Sequence, residues 1–294
     1  MTEAVELSRQ EHDEVAERKH PRAQVLYEAI RTEGEEELSR PVNAIAWSGL
    51  AAGLSMGFSL VAMGVLRAAL PEAPWAKLIA ALGYPVGFLI VIVGRQQLFT
   101  ENSLTPIIPL LQRPSAAKAL KVLRLWAVVL FANVLGTLAF AFVVQRLPVF
   151  SPEVSQAFGE LSRKTMHGGF GSHFTRAIFA GWLIALMMWM LAGADARAFL
   201  VVVMTTLVAA ADLSHVIAGS TEAFYAVFAG DASATDYLVR FLLPTGLGNM
   251  LGGIGLVALL SHAQVAADEN RGQRMNADPG SRLSQSARRG SRDS

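Results

Sequence analysis

The sequence GRQQLFTENSLTP at residues 94–106 interrupts one long apolar run, and DLSHVIAGSTE at residues 212–222 interrupts another. We call these segments the first break and the second break. Each lies near the middle of a run that is long enough to cross a bilayer. Unpaired backbone groups and charges cannot face lipid, so a polar break at membrane depth implies a cavity lined by protein. Paired breaks are the best sequence indicator of a transport site.

Composition places the chain among membrane proteins. Of its 294 residues, 52% are hydrophobic and 17% are charged, and the apolar residues form long runs. Six runs are long enough to cross a bilayer if each interrupted run is counted as two half-spans. They cover residues 43–66, 78–111, 122–145, 174–194, 198–229 and 238–261. The sequence therefore predicts an all-α membrane protein with six transmembrane helices, of which helices 2 and 5 are broken.

The ends of the chain differ in composition from the spans. The first 40 residues are polar and charged, so we expect no cleavable signal peptide and a retained first span. The predicted regions are a cytoplasmic N-terminal tail at 1–41, a six-helix transmembrane domain at 42–262 and a disordered cytoplasmic tail at 263–294. A short surface helix is expected in the first tail. Its weak apolar stripe would consist of Val25, Leu26, Ala29 and Ile30.

Absent residue types exclude several kinds of chemistry. The chain has no cysteine, which rules out disulfides, thiolate nucleophiles, iron–sulfur clusters and thiolate metal sites. His215 is the only histidine within a predicted span, whereas a metal site normally needs three protein ligands. We therefore expect no metal, no cofactor and no enzymatic activity. The lipid bilayer is the expected surrounding, and no nucleic-acid partner is expected.

Lysine and arginine predict the orientation in the bilayer, because short cytoplasmic loops carry an excess of both. Most of them lie in the N-terminal tail, in the loop after the second span and in the C-terminal tail. They are Arg9, Arg18, Lys19, Arg22, Arg31 and Arg40; Arg113, Lys118, Lys121 and Arg124; and Arg271, Arg274, Arg282, Arg288, Arg289 and Arg292. With six crossings these regions lie on one side, so both termini should be cytoplasmic.

Two features recur at one spacing along the chain. Asn133-x-x-Gly136 lies in the third span, and Asn249-x-x-Gly252 lies in the sixth span, 116 residues later. The same offset carries residues 94–105 onto residues 210–221, which contain most of the second break. Two features that share one offset indicate an internal repeat of three spans. Because three is odd, the second copy must be inverted, which gives the 3+3 architecture of many transporters.

The composition of the first break predicts a loop between two half-helices. Pro106 and Pro109 lack backbone donors. Gly94 and Asn102 tolerate unusual backbone angles. Thr100 and Asn102 supply neutral hydrogen-bond donors, and the half-helix that follows would present its positive N-terminal end to an anion. The alternative for Thr100 is that its hydroxyl only caps a helix.

The second break contains two ionisable side chains. His215 follows Asp212 by about one turn, and an ionisable residue at membrane depth is by default a functional candidate. A neutral imidazole can donate a hydrogen bond to a passing solute, and an imidazolium can balance the charge of an anion. Asp212 either stabilises the charged imidazole or faces a vestibule. The alternative is that His215 is a satisfied structural residue.

Four stretches, taken in order, resemble the formate/nitrite transporter family. QLFTEN at residues 97–102 resembles the loop in the second helix of that family, and SHVIA at residues 214–218 resembles its broken fifth helix. Residues 176–190 are similar to its fourth helix, and GNMLGG at residues 248–253 is similar to its sixth. The resemblance spans roughly residues 40–262. The ordered combination is more specific than any single stretch.

The resemblance implies an aquaporin-like fold of six helices and a homopentamer with one pore in each protomer. It also implies a bacterial inner-membrane location and conduction of small monovalent anions such as formate or nitrite. Thr100 matches the loop threonine of the family, and His215 matches its central pore histidine, so the resemblance implies pH-dependent transport.

Further candidate residues follow from the same resemblance. Phe88 falls at an apolar constriction, and Val208 occupies the partner position. Lys164 lies within one residue of a vestibule lysine that attracts anions. Asn102 and Asp212 are the remaining polar candidates, together with Glu101.

Five positions depart from the pattern of the family. Gln97 stands where an acidic residue is expected, and Glu101 stands where a small residue is expected. The others are Ser214 in place of glutamate, Gly219 in place of asparagine and Gly181 in place of the fourth-helix asparagine. Glu101 can repel anions at the inner mouth or accept a proton. Because several donors around the histidine are missing, the identity of the anion stays open.

Two other functional classes fit the sequence less well. A neutral-solute channel for water or glycerol would carry paired Asn-Pro-Ala motifs, and the chain has none. A membrane-embedded enzyme could use His215, Asp212 and Glu222, with or without a metal, but no second histidine lies within a predicted span. The anion channel is therefore the leading interpretation.

Overall fold

The computed structural model describes residues 23–260 and 262–264, and these fold into helices with no β-strand among them. Residues 1–22 and nearly all of the predicted C-terminal tail lie outside the described residues. The helices are α1 (Ala23–Ser39), α2 (Val42–Ala69), α3 (Ala76–Ala81), α4 (Pro85–Val93), α5 (Ile107–Gln112), α6 (Ala116–Arg146), α7 (Pro152–Met166), α8 (Phe170–Leu191), α9 (Arg197–Ala210), α10 (Ala218–Ala229) and α11 (Leu243–Met250). Two π-helical segments, Tyr237–Leu242 and Leu251–Ala258, flank α11. The predicted all-α class is confirmed for this part of the chain.

Four helical segments among the described residues are long and apolar enough to cross a membrane. They are α2, the consecutive helices α3 and α4 taken as one span, α6, and α8. Their outer faces carry large apolar side chains such as Trp47 and Phe131, each 72% exposed. Extended apolar surface of this kind fits a lipid environment. The chain is therefore a multi-pass membrane protein.

Local sequence explains where several helices begin. The Ser115 hydroxyl accepts a hydrogen bond from the Lys118 backbone N–H and caps α6. Ser151 caps α7 in the same way, directly before a proline at the first helical position. Near the start of the last helical stretch, Ser233 and Asp236 form a reciprocal capping box. These caps satisfy backbone donors that the helices leave unpaired.

Both breaks begin with the same backbone conformation. Arg95 and Asp212 are the non-glycine residues with positive φ in the described part of the chain, at 50° and 54°. After each helix a backbone N–H reaches back five residues to a carbonyl. The two bonds are Gln96 N to Val91 O and Leu213 N to Val208 O, both 2.9 Å long. These positions lie 117 residues apart, one residue more than the offset predicted from the asparagines.

A buried asparagine on α6 holds the first break in place. The Asn133 side-chain oxygen accepts a hydrogen bond from the Phe99 backbone N–H at 2.9 Å. Its amide nitrogen donates to the carbonyl of Gly49 on α2 at 2.7 Å and to the carbonyl of Gln97 at 2.9 Å. One side chain thereby pairs three buried backbone groups, two of which belong to the break.

A second asparagine does the same for the second break. The Asn249 side-chain oxygen accepts from the Val216 N–H at 2.8 Å. Its amide nitrogen donates to the carbonyl of Ala177 on α8 at 2.8 Å and to the carbonyl of Ser214 at 2.9 Å. The two asparagines of the predicted repeat therefore make matching sets of bonds.

Two glycines allow this close approach of helices. A Cβ atom on Gly53 of α2 would lie 2.2 Å from the Asn133 carbonyl oxygen, and one on Gly181 of α8 would lie 2.1 Å from the Asn249 carbonyl oxygen. Any side chain at either position would push the helices apart. Gly181 therefore has a structural reason to replace the fourth-helix asparagine of the family pattern.

Helix α1 packs on the first break with a different face from the predicted one. Its buried residues are Tyr27, Ile30, Gly34 and Leu38, whereas Val25 is 57% exposed. Only Ile30 of the predicted stripe lies in this buried set. A Cβ atom on Gly34 would lie 2.0 Å from the Thr105 carbonyl oxygen, so the helix and the break are in direct contact. The expected surface helix is thus part of the packed structure.

A carboxylate fastens α1 to the break. Glu37 accepts hydrogen bonds from the Gln97 amide at 3.1 Å and from the Thr105 hydroxyl at 2.7 Å. Burial raises the pKa of Glu37 above its ordinary value of 4.5, although these two bonds act to lower it. The docked helix therefore favours the protonated carboxyl.

We predict that alanine at Asn133 or Asn249 lowers the melting temperature by about 5 °C or more. Each substitution leaves buried backbone groups without partners, and each unsatisfied group costs about 1–3 kcal/mol. Thermal melting of the detergent-solubilised protein measures the shift. Asn43→Ala is the matched control, because Asn43 is exposed and, among the described residues, its side chain bonds only to the adjacent Ala44 N–H. Equal melting temperatures for all three variants would contradict the assigned role.

We predict that docking of α1 weakens as the pH rises. Because the pKa of Glu37 is raised in the docked state, its contribution is present at acidic pH and is lost as the pH rises through that raised pKa. Hydrogen exchange of residues 23–39, corrected for intrinsic rates, should be slower at about pH 5 than at about pH 8. Glu37→Gln should remove this difference, and Glu36→Gln, at an exposed position, should keep it.

Candidate pore site

Thr100 of the first break and His215 of the second break meet at the centre of the protein. The Thr100 hydroxyl oxygen lies 2.8 Å from Nε2 of His215, and each residue is 2% exposed. The two residues are 115 positions apart in the chain and reach each other because the asparagines hold both loops inward. The structure therefore brings together the two main candidates from the sequence.

The hydrogen bonds of His215 define its tautomer. The Ala218 backbone N–H donates to Nδ1 at 3.2 Å, so Nδ1 is an acceptor and the proton lies on Nε2. Nε2 then donates to the Thr100 oxygen, which leaves the Thr100 hydroxyl proton free for another partner. A proton on Nδ1 would have to displace the Ala218 bond. The resting site thus contains a neutral imidazole and a hydroxyl, both able to donate.

The apolar candidates are Phe88 and Val208, and Phe88 contacts this pair directly. Phe88 is fully buried, and its ring lies edge-on to the imidazole of His215 with centroids 5.0 Å apart. The Tyr84 ring is tilted by 41° against that of Phe88, with centroids 5.3 Å apart. Val208 is also fully buried and belongs to the same apolar cluster as Phe88. Water has little access to the Thr100–His215 pair, which strengthens its hydrogen bonds.

Asn102 and Glu101 are held within the first break. The Asn102 amide donates to the Gln97 side-chain oxygen at 3.0 Å, and its backbone carbonyl accepts from the Trp126 indole at 2.8 Å. One carboxyl oxygen of Glu101 is buried and has no hydrogen-bond partner among the described residues. The structure therefore gives Asn102 a loop-closing contact and does not bring it to His215.

A cavity of about 250 Å³ opens from His215 toward one end of the protein, and we call it the vestibule cavity. Among the residues that line it are Arg67, Lys77, Lys164, Arg176, Asp212 and Glu222. Helix α2 begins beside α1 and ends next to Arg67, so the cavity lies at the opposite end from α1. Charged groups thus line this cavity together with His215.

Asp212 and Lys164 form an ion pair in this cavity. Of the two alternatives for Asp212, the structure supports the one in which its side chain faces the vestibule. Lys164, for which the resemblance implies a vestibule position, is among the residues that line the cavity, and its ammonium is engaged by the carboxylate. A nearby carboxyl, Glu222, is largely buried and accepts a hydrogen bond from the Thr165 hydroxyl.

Sequence reasoning missed His173. The fourth span was predicted to begin at residue 174, but α8 begins at Phe170, so His173 lies inside it and is 2% exposed. The structure thus adds a second histidine, His173, to the helices that are apolar enough to cross a membrane. A signal was present, because His173 lies four residues before Ala177 on the buried face of the helix. Even so, the described residues contain no group of three or more side chains that could hold a metal.

Phe241 explains another departure from the family pattern. A Cβ atom on Gly219 would lie 2.5 Å from the Phe241 ring, so the space that an asparagine side chain would need is filled by the aromatic side chain. The same ring lies edge-on to the His173 imidazole, with centroids 5.5 Å apart. Gly219 and Phe241 are therefore complementary in size.

Comparison with known proteins agrees with this architecture. The family model described as formate/nitrite transporter matches residues 24–263. The inner membrane protein YfdC of Escherichia coli is 41% identical over 94% of this chain and 89% of its own length. The formate channel BtFdhC of Bacillus thuringiensis is 27% identical over 79% of this chain and 91% of its own length.

A solved structure has a similar fold. It is described as a pentameric formate channel with formate bound, and it superimposes with a TM-score of 0.64. The match covers 76% of this chain and 98% of that chain, at 18% sequence identity. At this identity the likeness supports the fold alone.

Proposed function

We propose that this chain, which belongs to the formate/nitrite transporter family, conducts small monovalent anions across a bilayer. The observation that carries the proposal is the contact between Thr100 and His215, where two neutral donors meet in an apolar enclosure at 2.8 Å. Relatives named as formate channels support the class of solute for this chain. The family consists of transporters, which also supports the absence of an enzymatic role.

Thr100 and His215 offer two hydrogen-bond donors at a site that water hardly reaches. Such a site suits an anion that must lose its hydration shell. Desolvating an ion costs many kcal/mol, so replacement hydrogen bonds are needed along the way. The anion would accept from the Thr100 hydroxyl and from the Nε2–H of His215. Phe88 and Val208 would form the apolar constriction on either side of this point.

Proton and anion should bind together at His215. Protonating Nδ1 breaks its bond with the Ala218 N–H, and the resulting charge would be buried without a carboxylate partner. A bound anion supplies the missing negative charge and offsets this cost. A weak acid therefore crosses as an anion with its proton on the imidazole or as the neutral acid. Either route makes the flux increase as the pH falls.

The matching contacts of the two breaks support a six-crossing, inverted-repeat pore of the aquaporin-like kind. Crossings 2 and 5 would each consist of two half-helices that meet at a break: α3–α4 with α5, and α9 with α10. Asn133 and Asn249 bind the breaks with equivalent bonds, and Arg95 and Asp212 adopt the same backbone conformation. Two halves built alike with three crossings each must be oppositely oriented.

An inner-membrane location and a homopentamer are further parts of the proposal. The first is supported by the name of the Escherichia coli relative, and the second by the description of the solved channel. Both termini would be cytoplasmic, with the vestibule cavity facing outward, as the lysine and arginine distribution predicts. Predicted regions 1–41, 42–262 and 263–294 remain the proposed division of the chain.

We predict that His215→Phe and His215→Asn lower formate uptake into proteoliposomes at least about tenfold. Losing one donor in an enclosed site removes roughly 1.4 kcal/mol or more of stabilisation of the passing anion. Wild-type uptake should rise between about pH 8 and pH 5, and both variants should lose this dependence. His167→Asn is the matched control, because His167 is exposed and lies outside the vestibule cavity. Unaltered flux and an unaltered pH profile in the His215 variants would overturn the mechanism.

The same liposomes separate an anion channel from a neutral-solute channel. Stopped-flow swelling with glycerol should proceed at the rate of protein-free liposomes. Rapid glycerol entry that persists in His215→Phe would instead favour the neutral-solute alternative.

We predict five copies in the native assembly. Native mass spectrometry of the detergent-solubilised protein should give five times the 31.5 kDa mass of the chain as the principal species. A monomeric or dimeric principal species, under conditions that preserve formate flux after reconstitution, would contradict the pentamer.

A further inference from the structure

The vestibule cavity contains cations that no carboxylate neutralises in the described part of the chain. Lys164 is paired with Asp212, and Arg67 is paired with Glu72 and Glu160. Lys77 and Arg176 also line the cavity but take part in no ion pair among the described residues. The positive charge available to an incoming anion therefore lies at Lys77 and Arg176, and Lys164 does not supply it.

His173 lies in the wall of the same cavity, three residues before Arg176 on α8. Residues at this spacing lie on one face of a helix. His173 is 2% exposed, and its Nδ1 lies 3.3 Å from the Ser214 hydroxyl oxygen. Its Nε2 is buried and has no hydrogen-bond partner among the described residues. A buried polar atom without a partner is costly unless a ligand or water supplies one.

The side chain of His173 helps to line the vestibule cavity, from which such a partner would come. A Cβ atom on Gly168 would lie 3.5 Å from Nε2, in ordinary van der Waals contact with it. Ser214 can donate its hydroxyl proton to Nδ1, which places the imidazole proton on Nε2 and leaves it free to donate. Phe241 packs edge-on against the ring and fixes its orientation. The imidazole is therefore held in place while its free nitrogen lacks a partner.

We propose that His173 and Arg176, with Lys77 nearby, form an outer binding site for a small monovalent carboxylate or oxyanion. Guanidinium binds a planar anion through parallel N–H donors, and the imidazole Nε2–H supplies a further donor. Ser214, which replaces the glutamate of the family pattern, positions the imidazole. The anion occupies this site before it reaches Thr100 and His215. This inference rests on the proposed anion channel and deepens it.

The test uses the full-length protein and formate as the probe. The dissociation constant is measured by titrating the detergent-solubilised protein with ¹³C-formate and following its NMR line width. His173→Leu should raise this constant about tenfold, because a buried donor to the anion is lost. His173→Gln, which keeps an N–H donor at similar reach, should stay within about threefold of wild type. His262→Leu is the matched control and should leave the constant unchanged, because His262 contacts Tyr27 of α1, at the end of the protein opposite the vestibule cavity.

Flux measurements separate binding from a general structural effect. In proteoliposomes with formate supplied on the vestibule side, His173→Leu should raise the half-saturating concentration about tenfold and change the maximal flux less than about twofold. If His173→Leu does not fold, as judged by size exclusion and thermal melting, Ser214→Ala replaces it. Ser214→Ala removes the hydroxyl that bonds Nδ1 of His173 and should raise the dissociation constant about threefold.

The outcomes are distinct from those for the channel itself. If wild-type protein conducts formate and His173→Leu binds and conducts it identically, the outer site is overturned and the anion channel stands. If wild-type protein conducts no monovalent anion, the channel is overturned, and the dissociation constants of the variants still decide the outer site. Equal loss of maximal flux and affinity in His173→Leu and His173→Gln would indicate a structural role and would also overturn the site.

Discussion

The fold depends on how the protein satisfies irregular backbone at membrane depth. An interrupted helix leaves N–H and C=O groups that lipid cannot pair, and each would cost several kcal/mol. Asn133 and Asn249 solve this with one amide each, because the amide presents an acceptor and two donors at once. Each amide also donates a hydrogen bond to a neighbouring helix. The same side chain therefore satisfies the backbone groups of the break and fixes its position against that helix. The helices can approach closely enough for these bonds because Gly53 and Gly181 have no side chain that would clash.

Because both loops are held in place, the contact between Thr100 and His215 and the tautomer of the imidazole are also determined. Thr100 and His215 come from segments more than a hundred residues apart, yet neither needs a flexible side chain to reach the other. The Ala218 N–H assigns the imidazole tautomer, and that N–H belongs to the turn that starts α10. Backbone geometry at the second break thus controls which nitrogen carries the proton. The proposed pore pair, Thr100 and His215, is a consequence of how the scaffold holds the two breaks.

Sequence patterns predict those features that local composition controls. The breaks, the repeated asparagines and the opposed Thr100 and His215 all follow from polar residues within apolar runs. Contacts between segments that are distant in the chain do not follow from such patterns. The bonds from Asn249 to the second break, the match of Phe241 with Gly219 and the burial of His173 depend on which helices pack together. His173 was missed by a single residue at a predicted helix start, where boundaries read from sequence are least reliable.

The two breaks share a framework but differ in the side chains around them, so the two approaches to the Thr100–His215 pair differ in charge. The first break closes on itself through the Asn102–Gln97 bond and lies next to the carboxyl groups of Glu37 and Glu101. The second break opens into a cavity lined by Lys77 and Arg176, which take part in no ion pair within the described part of the chain. An anion approaching from the cavity meets positive charge first, whereas one approaching from the other end meets carboxyl groups whose charge depends on protonation. Because Asn133 and Asn249 hold the two breaks with matching bonds, the difference in charge between the two approaches comes from these side chains.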